Sequence, residues 1–206
     1  MTQIYCDIAD IKLIKKYSKI NLVKGFTTNP SLMRKAGAHN YEKYAKNILK
    51  FSKNKPVSLE VFADDNVSML DQARKINSWG KNVFVKIPIT NSEGKSTSEV
   101  IRQLSDDGIK MNITAVYTSN QTKKIIQSIN KNSKVIISIF VGRAADSGKD
   151  PVPEIKKSIN YSKRFKNVKI LWASVREPYN YIQANQLGCH LITIPPKIID
   201  TIKNFG

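Results

Sequence analysis

Cysteine and histidine are both scarce in this chain. The sequence contains two cysteines, Cys6 and Cys189, and two histidines, His39 and His190, and none of them is spaced as metal ligands are. Two cysteines this far apart do not form a disulfide framework. We therefore expect neither a zinc site nor a disulfide-stapled fold, and this cysteine usage is typical of a reducing cytoplasm.

Long hydrophobic runs are also lacking. No segment approaches the roughly 20 apolar residues that a membrane helix needs, and Met1-Thr2-Gln3 leads directly into Ile4 without a basic and apolar leader. We therefore expect a protein that neither spans a membrane nor is secreted. The 206 residues, of which 41% are hydrophobic and 24% charged, are enough for one compact domain over residues 1–206.

Acidic residues are few compared with basic ones. The chain carries 16 Asp and Glu against 34 Lys and Arg, a formal net charge of +18. Such a charge attracts anions, so phosphorylated metabolites and nucleic acid are both candidate partners. Only six of the basic residues are arginine, and the lysines are spread through nearly every helical segment without exposed aromatic clusters. The pattern favours a lysine surface with a general attraction for anions, and we expect no specific nucleic-acid partner.

Short β-branched apolar runs alternate with longer amphipathic runs throughout the chain, which is typical of a parallel sheet covered by helices. The predicted strands are 4–8, 22–27, 57–62, 83–89, 110–117, 134–141, 168–174 and 189–194. The predicted helices are 11–18, 41–52, 67–78, 96–105, 119–129, 153–164, 178–186 and 197–204. Eight strand and helix units predict an α/β fold, a single (β/α)8 TIM barrel. An open doubly wound sheet is the alternative, but the chain lacks the Gly-rich phosphate loops that often accompany it.

Polar side chains occur near the carboxyl ends of several predicted strands, although both faces of such strands should be buried. They are Asp7, Asn29, Glu60, Lys86, Asn112, Thr114, Ser138, Ser174 and Arg176. Side chains alternate along a strand, so Asn112 and Thr114 point the same way, as do Ser174 and Arg176. In barrel enzymes, catalytic groups converge at the carboxyl-terminal mouth. The sequence therefore predicts a site there.

Lys86 is the most informative of these residues. An ammonium flanked by Val85 and Ile87 in a buried strand is costly to keep charged, which favours a free amine that can act as a nucleophile and form a Schiff base. The protonated imine is an electron sink that allows carbon–carbon bond cleavage or formation. The alternative is a lysine that extends out of an edge strand or neutralises Glu60 for structural reasons.

Two acids and two arginines complement this amine. Aldol chemistry needs a base for the hydroxyl proton and a proton shuttle for imine formation, and Asp7 and Glu60 can divide these tasks. Arg143 and Arg176 each lie just beyond a strand and are suited to grip a phosphate in bidentate fashion. The alternatives are ion pairing with buried cations for the acids and surface salt bridges for the arginines.

Six segments together resemble the transaldolase family, and most closely its short branch, which also contains the fructose 6-phosphate aldolases. They are Asp7-Ile8-Ala9, Gly25-Phe26-Thr27-Thr28-Asn29-Pro30-Ser31-Leu32, Val85-Lys86-Ile87-Pro88, Asn112-Ile113-Thr114-Ala115, Phe140-Val141-Gly142-Arg143 and Ala173-Ser174-Val175-Arg176. The resemblance runs from about Ile4 to Pro196, and the order of these motifs is highly specific.

The resemblance implies a role for each matching residue. Lys86 would form the Schiff base, Asp7 would exchange the hydroxyl proton, and Glu60 would act through a water held with Thr114. The remaining implied contacts are Asn29, Asn112 and Ser138 for the dihydroxyacetone unit, and Arg143, Ser174 and Arg176 for the substrate phosphate. The implied reaction moves a dihydroxyacetone unit between sugar phosphates, in the pentose phosphate pathway, with no metal or organic cofactor.

Two positions separate the branches of this family. The transaldolases resemble this chain in having Glu at position 60 and Phe at position 140, where the hydrolysing aldolases have Gln and Tyr. A tyrosine hydroxyl at position 140 would help to protonate the enamine and release free dihydroxyacetone, and Phe140 cannot. Transaldolase activity is therefore favoured, with a fructose 6-phosphate aldolase as the alternative.

The chain departs from the family pattern at four mouth positions. Ile139 stands where a proline is usual, Val175 replaces a phenylalanine, and Ala144 and Ala145 replace an apolar and an acidic residue. A transaldolase specialised for a modified sugar therefore remains an alternative, as does a non-catalytic barrel that binds anions or nucleic acid. The chain ends at Gly206, without the helical tail that supports ring-shaped assemblies in short relatives, so a homo-oligomer is possible but a decamer is not assumed.

Overall fold

Eight parallel strands close into a barrel in the order in which they occur in the sequence. The computed structural model describes residues 1–205. The strands are β1 (Gln3–Asp7), β2 (Val23–Thr27), β3 (Val57–Glu60), β4 (Val83–Pro88), β5 (Met111–Val116), β6 (Val135–Ile139), β7 (Val168–Trp172) and β8 (Leu191–Ile194). β1 pairs with both β2 and β8, which completes the ring. The predicted (β/α)8 barrel is confirmed.

Helices follow the strands and cover the outside of the barrel. They are α1 (Ile11–Ser18), α2 (Pro30–Lys35), α3 (Tyr41–Phe51), α4 (Asn66–Asn77), α5 (Ser98–Asp106), α6 (Ser119–Ser128), α7 (Val141–Asp146), α8 (Val152–Ser162), α9 (Tyr179–Leu187) and α10 (Pro196–Ile202). Side-chain caps fix several helix starts; Thr118 and Gln121 form a reciprocal capping box at α6. Across residues 1–205, every helix is too short or too polar to cross a bilayer.

Two short helices, α2 and α7, differ from the prediction. Asn29 accepts a hydrogen bond from the Leu32 amide and Pro30 occupies the first turn, so β2 passes directly into α2. The strand predicted over 134–141 is too long: β6 ends at Ile139, and Val141 begins α7. Three of the six residues of α7, Val141, Gly142 and Ala144, are buried, and such a short buried start of a helix cannot be distinguished from a continuing strand by hydropathy alone.

The barrel interior has an apolar layer below a polar one. Tyr5, Ile136, Leu171, Ala173 and Leu191 form a buried cluster inside the barrel, separate from the larger core between strands and helices. Asp7 lies two residues beyond Tyr5, so side chains of the same strand face supply both layers. This layering places the polar groups at the carboxyl ends of the strands.

Candidate active site

A cavity of about 230 Å³ opens at the carboxyl ends of the strands, and we call it the mouth cavity. Its lining brings together most of the sequence-predicted site residues: Asp7, Asn29, Lys86, Thr114, Ser138, Phe140, Arg143, Ser174 and Arg176. The remaining two predicted residues, Glu60 and Asn112, lie next to this lining. Glu60 forms an ion pair with Lys86, and Asn112 accepts a hydrogen bond from Ser138. The polar strand ends therefore converge in space as the alternation of side chains predicts.

Lys86 points into the barrel and not to the outer wall. Its neighbours Val85 and Ile87 are fully buried on the opposite strand face, while Lys86 itself is 8% exposed and lines the mouth cavity. Its Nζ lies 3.0 Å from Glu60 Oε2 and donates a hydrogen bond to the Thr28 carbonyl at 3.3 Å. The amine is thus held beside a carboxylate at the edge of a small cavity.

The register between β3 and β4 explains the ion pair. Glu60 and Lys86 are direct partners across the two parallel strands, so their side chains lie on the same face of the sheet. The pairing with Glu60 that the sequence leaves open as a structural alternative is therefore present. The Glu60 carboxylate is also a proton acceptor next to the amine, so the same ion pair can serve both structure and chemistry.

Asp7 is enclosed at the base of the mouth cavity. Burial raises the pKa of its carboxyl group, while the Lys86 charge and a hydrogen bond from Thr27 act in the opposite direction. Thr27 Oγ1 donates to Asp7 Oδ1 at 2.7 Å and lies 2.5 Å from Thr193 Oγ1. A raised pKa suits a carboxyl group that takes up and returns a proton during a reaction.

Asn112 joins two serines beneath the cavity. Its side chain is fully buried; Nδ2 donates to Ser58 Oγ at 2.9 Å and Oδ1 accepts from Ser138 Oγ at 2.6 Å. The Thr114 hydroxyl, in contrast, is buried and without a hydrogen-bond partner among the described residues. Because Thr114 lines the mouth cavity, a water or ligand hydroxyl there can satisfy it.

The two arginines of the cavity have different surroundings. Arg176 donates through Nε and Nη2 to Asp146 Oδ2 at 3.0 and 2.5 Å. This contact lowers the pKa of Asp146, and it is the salt bridge that the sequence leaves open for Arg176. The guanidinium of Arg143 lies 5.1 Å from the centre of the Phe140 ring and makes no ion pair within residues 1–205. Arg143 is therefore available to an anion, whereas Arg176 is held by Asp146.

Three contributors to this site are not predicted from the sequence: Thr27, Thr193 and Asp146. The two threonines are polar residues on the inward face of buried strands, a signal that the sequence does contain. Asp146 lies at the end of α7, and only the path of that helix brings it to Arg176. In the described part of the chain, no three His, Cys, Asp or Glu side chains are grouped as metal ligands.

The family model described as Transaldolase/Fructose-6-phosphate aldolase matches residues 4–206. Proteins named "Probable transaldolase" are similar over almost the whole chain. The one from Dehalococcoides mccartyi is 35% identical over 198 residues, covering 96% of this chain and 88% of that protein. The one from Nitrosopumilus maritimus is 35% identical over 200 residues, covering 96% and 86%.

Solved structures of lower identity are similar in fold. Dihydrodipicolinate synthase from Rhodopseudomonas palustris has a TM-score of 0.67 at 16% identity, covering 98% of this chain and 74% of that chain. The enzyme of that name from Thermotoga maritima has a TM-score of 0.69 at 12% identity, covering 97% and 72%. At these identities the likeness concerns the barrel alone.

Proposed function

Because the chain belongs to the transaldolase/fructose-6-phosphate aldolase family, we propose that it transfers a dihydroxyacetone unit between sugar phosphates through a Schiff base on Lys86. The donor is a ketose phosphate such as sedoheptulose 7-phosphate or fructose 6-phosphate. The acceptor is an aldose phosphate such as glyceraldehyde 3-phosphate or erythrose 4-phosphate. The observation that carries the proposal is the Lys86 amine, which faces the mouth cavity 3.0 Å from Glu60.

The first steps build the imine. The ammonium of Lys86 gives a proton to Glu60, and the free amine adds to the ketone carbon of the donor. The resulting carbinolamine loses water to form a protonated imine, with Glu60 returning the proton to the departing hydroxyl through a water. The unpartnered Thr114 hydroxyl is suited to hold that water at the cavity wall.

The next steps exchange the aldose. Asp7 takes the proton of the hydroxyl on the carbon that leaves, and the bond between that carbon and the dihydroxyacetone unit breaks. Its electron pair moves to the imine to give an enamine, and the first aldose phosphate departs. The enamine then attacks the acceptor aldehyde, Asp7 returns its proton to the new hydroxyl, and water releases the ketose product from Lys86.

Substrate binding uses the rest of the mouth cavity. Ser138 and Asn29 both line it and are suited to hold the dihydroxyacetone hydroxyls, and Asn112 holds Ser138 by a hydrogen bond. Arg143 is free to bind the phosphate, together with Ser174. We propose that the phosphate takes the place of Asp146 on Arg176, because both anions can accept hydrogen bonds from the Nε and Nη2 edge of the guanidinium.

Transfer is favoured over hydrolysis by the ring at position 140. Phe140 lines the mouth cavity and carries no hydroxyl that can deliver a proton to the enamine carbon. An enamine that is not protonated persists until an acceptor aldehyde binds and reacts with it. Protonation of the enamine carbon instead gives an imine, and hydrolysis of that imine releases free dihydroxyacetone. A fructose 6-phosphate aldolase is the second candidate, and the two are separated by measuring which of these products forms.

A specialised acceptor is a further candidate, and it rests on Val175. This residue lines the mouth cavity beside Arg176, where the family usually has phenylalanine. Because valine is the smaller side chain, it leaves more room for the acceptor at this point of the wall. Rates with erythrose 4-phosphate and glyceraldehyde 3-phosphate should be compared with those for other aldehydes. A preference for a bulkier or modified aldehyde would place the reaction outside the pentose phosphate pathway.

The direct test of the proposed function is a coupled assay with fructose 6-phosphate and erythrose 4-phosphate, run beside an assay for free dihydroxyacetone. We expect transfer by the wild type and by Lys110→Met, a lysine before β5, and none by Lys86→Met. Salt-dependent nucleic-acid binding without turnover of any ketose phosphate would contradict the proposal. A single catalytic domain over residues 1–206, a cytoplasmic location and a homo-oligomer complete the proposal; gel filtration tests the last.

A further inference from the structure

A second cavity, larger than the mouth cavity, opens at the amino ends of the strands. It has a volume of about 710 Å³, and we call it the basal cavity. It is lined by the starts of β6 and β7, by the loops that precede them, and by Tyr5 and Phe84 from inside the barrel. A volume of this size matches small-molecule sites, which fall in the range of about 300–1,000 Å³.

The charges around the basal cavity are all of one sign. Its cationic residues are Lys131, Lys134, Arg164, Lys166 and Lys169, and no Asp or Glu of the described chain belongs to its lining. The ten ion pairs found in residues 1–205 include none of these five cations. The positive charge of this cavity is therefore not neutralised by the protein itself.

Two neighbouring groups respond to this positive potential. The pKa of Lys110 is lowered by burial and by the charge of Lys134. The pKa of His190 is lowered by burial and by the charge of Lys169. In both cases a cation of the basal cavity disfavours another positive charge nearby, which is the electrostatic environment that an anion stabilises.

The floor of the basal cavity is aromatic. Tyr5 is buried, with 5% of its surface exposed, and the rings of Phe84 and Phe165 are partly exposed beside it. Burial alone raises the pKa of Tyr5 to about 12, so its phenol remains a neutral hydrogen-bond donor. A planar organic group can pack on these rings while anionic groups reach the lysines at the rim.

The apolar layer of the barrel separates the two cavities. Tyr5 and Ile136 line the basal cavity, and Asp7 and Ser138, two residues further along the same strands, line the mouth cavity. Two residues of a strand span about 7 Å. A ligand in the basal cavity therefore does not occupy the space around Lys86, and the two cavities can be filled independently.

We propose that the basal cavity binds a small polyphosphorylated ligand with a planar organic part, which is the chemistry of a nucleoside di- or triphosphate. The number of cations exceeds what a single phosphate neutralises, which favours more than one phosphate group. A cavity of this volume with an aromatic floor favours a small ligand over a strand of nucleic acid, which is usually bound along an extended basic groove. This site is distinct from the proposed sugar-phosphate site in the mouth cavity.

The test is calorimetric titration at a fixed ionic strength of about 0.1 M, because salt screens such contacts. The probes are ATP without added magnesium, tripolyphosphate and a short single-stranded RNA. The Lys134→Glu/Lys169→Glu variant reverses two cations of the basal cavity. Its matched control, Lys124→Glu/Lys156→Glu, makes the same change of net charge at exposed positions of α6 and α8. Circular dichroism and thermal unfolding verify that both variants fold.

We expect wild type to bind ATP more tightly than tripolyphosphate, at one site. The Lys134→Glu/Lys169→Glu variant should lose at least about tenfold in ATP affinity. The control variant should lose less than about threefold, because its altered charges do not contact the ligand and their long-range effect is screened by salt. Binding should persist in Arg143→Gln, which removes a phosphate contact from the mouth cavity. The basal variant should keep the transfer activity.

Four results would overturn the proposal: no ATP binding by the wild type, an equal loss in the two double variants, equal affinity for tripolyphosphate and ATP, or a preference for the RNA. A misfolded Lys134→Glu/Lys169→Glu variant does not end the test. Lys166→Gln and Lys131→Gln, at exposed loop positions, then replace it. Each should weaken ATP binding measurably, and unchanged affinity in both would contradict the proposed site.

Discussion

The backbone of Gly142 lies so close to Ser174 that a β-carbon at position 142 would be 1.7 Å from the Ser174 carbonyl oxygen. Ser174 itself has a positive φ of 66°, which is unusual for a residue with a side chain. The contact fixes the start of α7 against the segment after β7. It therefore sets the distance between Arg143 and Ser174, two of the proposed phosphate contacts.

Replacing Gly142 by alanine should disturb phosphate binding. The new methyl group meets backbone and cannot be accommodated by a side-chain rotation, so we expect a loss of about 1–3 kcal/mol in stability. We also expect an increase in KM for fructose 6-phosphate, because Arg143 and Ser174 move apart. Unfolding in urea and steady-state kinetics measure the two effects.

Gly148→Ala is the matched control for this variant. Gly148 has a φ of 76°, but no other group lies within 4 Å of the point that an alanine methyl would occupy, so alanine there costs about 1 kcal/mol through backbone strain alone. KM should not change in this control. An unchanged KM in Gly142→Ala as well would contradict the role of the close contact in phosphate binding.

Asp146→Asn should strengthen substrate binding. The carboxylate occupies Arg176 in the absence of substrate, and the proposed phosphate must displace it. Because exposed ion pairs contribute little, KM for the ketose phosphate should fall only modestly, by up to about fivefold. Asp150→Asn, which removes an equal charge from an exposed position nearby, should leave KM unchanged. A higher KM in Asp146→Asn would show that the carboxylate orients Arg176 for the phosphate.

Thr27→Val should move the acidic limb of the pH profile. Burial raises the pKa of Asp7, and the hydrogen bond from Thr27 partly opposes this. Removing that bond raises the pKa further, so the ionised base is lost at a higher pH as the solution is acidified. The acidic limb of kcat/KM should therefore shift to higher pH in Thr27→Val and stay in place in Thr27→Ser. A uniform loss of rate without a shift would count against Asp7 as the base.

Phe140→Tyr should redirect the enamine toward free dihydroxyacetone. A phenol at this position of the mouth cavity can donate a proton to the enamine carbon, and a positioned acid contributes about 10²–10⁴ in rate when its geometry is favourable. We expect the rate of free dihydroxyacetone release to rise at least about tenfold, which is less than the full effect of an acid in favourable geometry. Phe140→Leu, which also alters the ring but adds no hydroxyl, should not show this gain. Equal release by both variants would contradict the explanation.

The alternation of side chains along each strand accounts for what the sequence does predict. It places Lys86 and Thr114 on the inward face, and both line the mouth cavity. The same rule does not identify partners, because these depend on how neighbouring strands are aligned. The bond from Asn112 to Ser58 joins residues 54 positions apart in the sequence, on strands that are not adjacent in the barrel.

Contacts made by loops and short helices are harder to predict from the sequence. The bond between Asp146 and Arg176 depends on the course of α7, whose apolar start at Val141 continues the pattern of β6. The basal cavity is a similar case. Its cations lie in two short segments, 131–134 and 164–169, and the pairing of β6 with β7 brings these segments together. A pattern along one strand carries no information about such groupings.

The central claim is that Lys86 forms the covalent intermediate, and borohydride trapping tests it most directly. Fructose 6-phosphate is added with borohydride to the wild type, to Lys86→Met and to Lys110→Met, and the labelled peptides are identified by mass spectrometry. We predict one reduced dihydroxyacetone unit on the peptide that contains Lys86 in the wild type and in Lys110→Met, and no label in Lys86→Met. Equal labelling of all three proteins, or a label on another lysine, would contradict the proposed mechanism.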